Sequence, residues 1–202
     1  MENRNKGICR CGDDLMAKTM KITAIISLLF TLVFAFMHMK TQKGMLLTLA
    51  ITFGTVAYHF CMRLLVGIGI HGFLHNKVDY HKRWFKVGES EQILYRKLNV
   101  KRWKAKMPTY DQSFFDPKER SWDEIAQATC QSEIVHELIA VLSLAPIISA
   151  VWFGAWPVFI GTSLLSAGFD LMFAAMQRYN RPRIMKLIGR AEKDNGVYEK
   201  SI

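Results

Sequence analysis

The sequence predicts an all-α, polytopic integral membrane protein of about four transmembrane helices, with a structured loop lying along one membrane face. Three observations predict it. The chain holds 27 Lys and Arg and 17 Asp and Glu, yet only six of these (Lys40, Lys43, Arg63, Glu133, Glu137, Asp170) lie outside residues 1–21, 71–130 and 177–202. The intervening stretches, 22–70 and 131–176, are close to continuous hydrocarbon, whereas a soluble domain mixes charge into every element. Finally, the basic residues all but avoid the two short turns that four spans require.

A polar segment, 1–21, precedes the first span. About twenty polar residues ahead of the apolar run, and no small-x-small site after it, argue against a cleavable secretory signal. Residues 22–39 carry no Lys, Arg, Asp or Glu and are just long enough to cross a bilayer core. Residues 45–70 form the second span, interrupted only by His59 and Arg63. Residues 138–176, with Asp170 as their single charge, are too long for one crossing and suit two. Gly154, Ala155, Trp156 and Pro157 mark the turn between them, with Trp152 and Trp156 suited to the interface. The domain plan is thus a polar tail (1–21), a transmembrane domain (22–176) that includes the loop 71–130, and a basic segment (177–202).

Lys plus Arg number five in 1–21, twelve in 71–130 and seven in 177–202, against two in the first short turn and none in the second. Positive charge stays inside, so both termini and the loop are expected to be cytoplasmic, in a multi-pass protein of the cell membrane. The net charge of +10 follows from this topogenic charge and from attraction to anionic headgroups, so no nucleic-acid partner is expected. Cys61 falls within a span, and Cys9, Cys11 and Cys130 fall on the reducing side, so no disulfide framework is expected. Cys9-Arg10-Cys11 alone is a weak metal signature, and no metal site is assigned.

The loop holds Trp84, Phe85, Tyr95, Val100, Trp103, Phe114, Phe115 and Trp122, too many apolar groups for a disordered linker. Residues 89–98 fit an amphipathic helix. Val100 and Trp103, among Lys101, Arg102, Lys104 and Lys106, fit an interfacial segment that ends at Met107-Pro108-Thr109. Ser121-Trp122-Asp123-Glu124 is a capping-box pattern, so a helix should start near Trp122 and run into the third span.

Charge at membrane depth is costly and marks function or pairing. His59 and Arg63 share one face of the second helix. Glu133, His136 and Glu137 line one stripe at the start of the third, and Asp170 and Gln177 share a face of the fourth. These stripes are expected to converge on one half-buried polar site open to the cytoplasmic side. Glu133-x-x-His136 can act as an oriented general base, as a structural pair, or as half of a metal site. Di-metal helical sites need two such motifs, and only one is present. The other histidines (His38, His71, His75, His81) fall near interfaces and suit anchoring.

After the fourth span comes Gln177-Arg178-Tyr179-Asn180-Arg181-Pro182-Arg183. Pro182 is expected to break the helix and hold Arg181 extended, giving a rigid cationic cluster at headgroup level. A topogenic signal needs only charge, whereas three guanidiniums among Gln, Tyr and Asn suit phosphate recognition.

This string, with Glu133-x-x-His136 and Val100-Lys101-Arg102-Trp103-Lys104 before it, resembles the glycosyl-4,4'-diaponeurosporenoate acyltransferase family over roughly residues 84–190. Where the family pattern has Trp after the histidine, this chain has Glu137. The resemblance implies a membrane acyltransferase that esterifies a fatty acyl chain onto a hydroxyl of a glycosylated, carotenoid-like acceptor. It implies His136 as the base, Glu133 as its orienting carboxylate, and the arginines as the grip on donor phosphate or acceptor headgroup. Gln177, Asn180, Trp103, Lys104, His59, Arg63, Asp170 and Glu137 complete the expected binding set. No cofactor is expected beyond an acyl donor such as acyl-CoA, and the partners are a lipophilic substrate and membrane lipids. Two other classes fit the same residues. One is a membrane oxidoreductase or methyltransferase acting on an isoprenoid- or steroid-like lipid, with the Arg–Asn cluster on a nucleotide cofactor such as NADPH. The other is a non-enzymatic lipid-binding scaffold in which the polar stripes are interhelical glue.

Overall fold

The computed structural model describes the backbone of residues 2–107 and 113–199, and the side chains of residues 17–107 (apart from Ala105) and 113–193. Among these it is all-helical. The helices are α1 (Glu2–Thr41), α2 (Gly44–Leu74), α3 (Glu89–Lys97), α4 (Val100–Trp103), α5 (Trp122–Leu142), α6 (Pro146–Phe153) and α7 (Trp156–Glu199). Four segments are long and apolar enough to cross a membrane: Ala17–Thr41, Gly44–Leu74, Trp122–Phe153 and Trp156–Lys193. The four-span reading therefore holds. The expected polar tail is helical from Glu2 onward, and the side chains of Cys9 and Cys11 lie outside the described residues.

The chain divides into two units, the first made of residues 1–69 and 137–171, the second of 70–136 and 172–202. In the first unit, α1 turns its large apolar side chains outward; Ile25, Leu29 and Phe36 are all exposed, as lipid-facing residues should be. It meets α2 at Thr31 opposite Gly54 and through Phe30 and Phe34, whose ring centres lie 5.0 and 5.6 Å from that of Phe53. A methyl on Gly54 would sit 3.3 Å from Thr31 Cγ2, so glycine sets how near the two helices come. Gly154 closes the second short turn with φ 67°, and its N–H donates to the Ala150 carbonyl at 2.8 Å.

The third span is interrupted between α5 and α6, because Pro146 has no N–H to offer the Leu142 carbonyl one turn earlier. The Ala145 N–H reaches that carbonyl at 3.1 Å in a tightened turn, and the Tyr58 hydroxyl of α2 donates to it at 2.9 Å as a second donor. A backbone acceptor in hydrocarbon needs partners, and the turn and α2 supply them together.

The second unit has an apolar core. Ile125 and Ala126 of α5 pack with Ile184 and Ile188 of α7, and Val78, Phe85 and Cys130 form a second cluster. The capping box is complete: the Ser121 N–H donates to Glu124 Oε2 at 2.9 Å and the Glu124 N–H to Ser121 Oγ at 3.2 Å. The helix expected over 89–98 is α3. It buries Tyr95 and leaves Ile93, Leu94 and Leu98 exposed, a face suited to the membrane interface. Lys104–Lys106 form a 3₁₀ turn that ends at Met107, while Pro108 and Thr109 lie outside the described residues.

One expectation is overturned. Pro182 does not break the helix; it lies inside α7, and Arg181 is helical rather than extended. A proline removes one intrahelical donor and crowds the carbonyl four residues before it. Here the flanking turns are pinned, by carboxylates bound to Arg178 and Arg181 on one side and by buried Ile184 and Ile188 on the other.

Candidate active site

Glu133 is fully buried on α5. It faces two arginines one turn apart on α7, so both of its oxygens are matched. Arg178 Nη1 donates to Oε1 at 2.6 Å, and Arg181 Nη2 lies 2.7 Å from Oε2. The loop completes the shell around both guanidiniums. Glu91, in the first turn of α3, binds Arg178 through both carboxylate oxygens, and Arg178 Nη1 also donates to the Trp84 carbonyl at 3.0 Å. Arg181 Nη1 donates to the Phe85 carbonyl at 3.3 Å, and its guanidinium lies 5.0 Å from the Phe85 ring centre. Two cations and two anions cancel inside the second unit, which is the condition for burying them. The Arg178 hydrogen bond is the main cause holding the Glu91 carboxyl below its ordinary range, against the opposing effect of burial. Tyr95, one turn on, donates its hydroxyl to Glu91, and burial followed by that carboxylate pushes the phenol well up.

His136 stands one turn after Glu133, half-buried, its ring stacked on Phe173 at 4.6 Å between centres and 8° between planes. A parallel aromatic neighbour fixes the ring plane, as a base that must meet a substrate proton along one direction requires. Beside it, Gln177 Nε2 donates to Ser132 Oγ at 3.2 Å. Further along α7, Lys104 Nζ donates to Asn180 Oδ1 at 2.5 Å and lies 4.8 Å from the Tyr179 ring centre. Arg183 is exposed. Trp103 donates its indole N–H to the Leu98 carbonyl at 3.1 Å, which ties α4 back to the end of α3.

The first unit holds the remaining expected site residues. Arg63 Nη2 donates to Asp170 and, at 2.8 Å, to Ser166 Oγ. Ser166 Oγ in turn lies 2.8 Å from Ser143 Oγ. His59 is 5% exposed and neither ring nitrogen has a hydrogen-bond partner among the described residues; the buried Ser163 hydroxyl has none there either. Glu137 is half-buried in this unit. An apolar cavity of about 530 Å³ also opens there, lined by Thr31, Ala50, Gly54, Thr55, Tyr58 and Phe159 among others.

Of the expected site residues, Arg63 and Asp170 pair within the first unit. Within the second, Glu133 meets Arg178 and Arg181, and Lys104 meets Asn180. Sequence reading missed Glu91, the Trp84 and Phe85 carbonyls, Tyr58 and Phe173. Only Tyr58 had a legible signal, since a proline at 146 within an apolar run removes one backbone donor and leaves room for a side-chain one. No group of three or more His, Cys, Asp or Glu suited to a metal ion occurs among the described residues.

The family model described as Glycosyl-4,4'-diaponeurosporenoate acyltransferase (CrtO) matches residues 76–190, more than half of the chain. The chain belongs to this family. The matched segment runs from the loop through α5 and α6 into α7, and so takes in Glu133, His136 and the whole arginine string. His59 and Arg63 lie outside it. Membership of the acyltransferase family supports an acyltransferase acting in carotenoid biosynthesis. No curated protein and no solved structure matches the chain.

Proposed function

We propose that the protein transfers a fatty acyl chain from an activated donor to a hydroxyl of a lipophilic, glycosylated isoprenoid acceptor at the cytoplasmic membrane surface. The observation that carries this reading is His136, its ring plane set by Phe173, within the segment that matches the acyltransferase family. In the reaction the acceptor hydroxyl gives its proton to His136 as its oxygen attacks the donor carbonyl carbon. The carbon–sulfur bond of a thioester donor then breaks, and the imidazolium returns the proton to the leaving thiolate, so that ester and thiol are the products. Glu133 is a positioning residue: paired to Arg178 and Arg181, it sets where α5 and α7 lie around His136. With those two guanidiniums bound to carboxylates, the grip on the donor passes to other cations of the second unit.

The test is direct. Purified protein is incubated with long-chain acyl thioester and a glycosylated isoprenoid lipid, and the product is read by mass. Gain of one acyl chain, lost in His136→Ala with folding unchanged, is the expected result. Gain of two hydrogens or of a methyl group when other donors are supplied would refute the reading, as would wild-type kcat in His136→Ala.

A further inference from the structure

The string 177–183 is not one anion-binding cluster. Arg178 and Arg181 face inward and are neutralised by Glu91 and Glu133. Arg183, one turn after Asn180, is exposed and has no carboxylate partner among the described residues. Lys104 likewise makes no ion pair there. Its ammonium is held in place by a neutral amide oxygen, Asn180 Oδ1, and by the face of Tyr179. Lys101 stands one helical turn before Lys104, so it projects from the same face. Burial, followed by the nearby charges of Arg183 and Lys101, holds the Lys104 ammonium below the ordinary lysine range. Like charges are thus gathered around one half-buried, positioned ammonium, while Glu91 and Glu133 serve Arg178 and Arg181.

We propose that Lys104, Arg183 and Lys101, with Asn180 and Tyr179 positioning Lys104, form a binding site for a phosphate group. Lys104 supplies a point charge aimed by two fixed neighbours. Arg183 supplies the planar fork that takes two phosphate oxygens, and Lys101 adds long-range attraction. The position, at the end of an apolar span and beside the exposed apolar face of α3, suits a ligand with an anionic head and an apolar remainder. Two sources share this chemistry: the phosphate of a soluble acyl carrier and the headgroup of a membrane phospholipid. The inference deepens the acyl-transfer reading by naming the handle on its donor. It is tested by binding alone, so absence of acyl transfer by the wild type with binding intact would count against the acyl-transfer reading and not against this site.

The experiment uses the full chain in phosphatidylcholine nanodiscs. In one arm inorganic pyrophosphate is titrated and binding followed by calorimetry. In the other, phosphatidylglycerol is mixed into the discs, and the lipid retained through detergent extraction is counted by native mass spectrometry. Lys104→Gln and Arg183→Gln should each weaken binding by about tenfold, as expected for the loss of one charge-assisted contact. Lys104→Arg should recover most of it, and exposed Lys118→Gln should change nothing. Helical circular dichroism confirms that each variant is folded. Arg183 is exposed, so its variant stands even if Lys104→Gln unfolds. Saturable pyrophosphate binding that both variants weaken assigns the site to a soluble phosphate donor, and selective lipid retention that both weaken assigns it to a headgroup. Equal behaviour of wild type and both variants in both arms overturns the proposal.

Discussion

Replacing Glu133 by Gln keeps the shape of the side chain and removes its charge. Arg178 then remains paired, because Glu91 binds it through both oxygens and the Trp84 carbonyl accepts from it. Arg181 does not. Its side chain is 3% exposed, and it would keep only the Phe85 carbonyl at 3.3 Å and the Phe85 ring. Stranding one member of a buried ion pair costs about 3–5 kcal/mol. The Gln amide oxygen can return one hydrogen bond, worth about 1 kcal/mol. Glu133→Gln should therefore destabilise the protein by about 2–4 kcal/mol. Arg181→Met in the same background removes the stranded charge and should restore much of that loss. The assay is equilibrium unfolding in mixed micelles, read by tryptophan fluorescence and circular dichroism, with coincident transitions required. The double-mutant cycle should show a coupling of at least about 1.5 kcal/mol. A single-variant loss under about 1 kcal/mol, or strict additivity, would show that the Glu133–Arg181 contact does not hold the second unit together.

Three further outcomes follow from the same structure. Tyr58→Phe should cost about 1 kcal/mol by leaving the Leu142 carbonyl with the Ala145 N–H alone, and less in a Pro146→Ala background, where another backbone N–H returns; equal costs in both would refute the second-donor argument. His59→Phe should be neutral or stabilising, because neither ring nitrogen has a partner among the described residues; a loss above roughly 1 kcal/mol in the same micelle assay would show that the ring is bonded in solution. The Glu91 carboxyl is held below its ordinary value near 4.5, so its contribution is complete above that value and is lost as pH falls through the depressed native one. Hydrogen exchange of α3 should accordingly rise only at strongly acidic pH, and Glu91→Gln should abolish that dependence; an onset near neutral pH would contradict the pairing.

The all-helical, four-span architecture was legible because hydrophobic length and charge segregation are properties of the chain itself. The same holds for the short turn at Gly154, the capping box at Ser121 and the amphipathic helix at 89–98, all of which depend on residues within a turn or two of one another. Spacing also put Glu133 and His136 on one stripe, and the QRYNRPR string and Glu-x-x-His pattern pointed to the family that the chain joins. Partner choice was not legible. Which carboxylate each arginine meets depends on residues tens of positions apart, as with Glu91 and Arg178, and helical periodicity gives a face but not what lies opposite. So the string 177–183, uniform in sequence, is divided by the fold into buried, neutralised Arg178 and Arg181 and exposed Arg183. Pro182 likewise signals a helix end by local rules, but long-range ion pairs and packing on both sides outweigh the loss of one hydrogen bond. The sequence by itself determined which segments are apolar enough to span and which residues share a helix face, because hydrophobicity and helical geometry are local. Only the tertiary structure decided which charges cancel and which remain available to a ligand, because that depends on where distant segments of the chain meet.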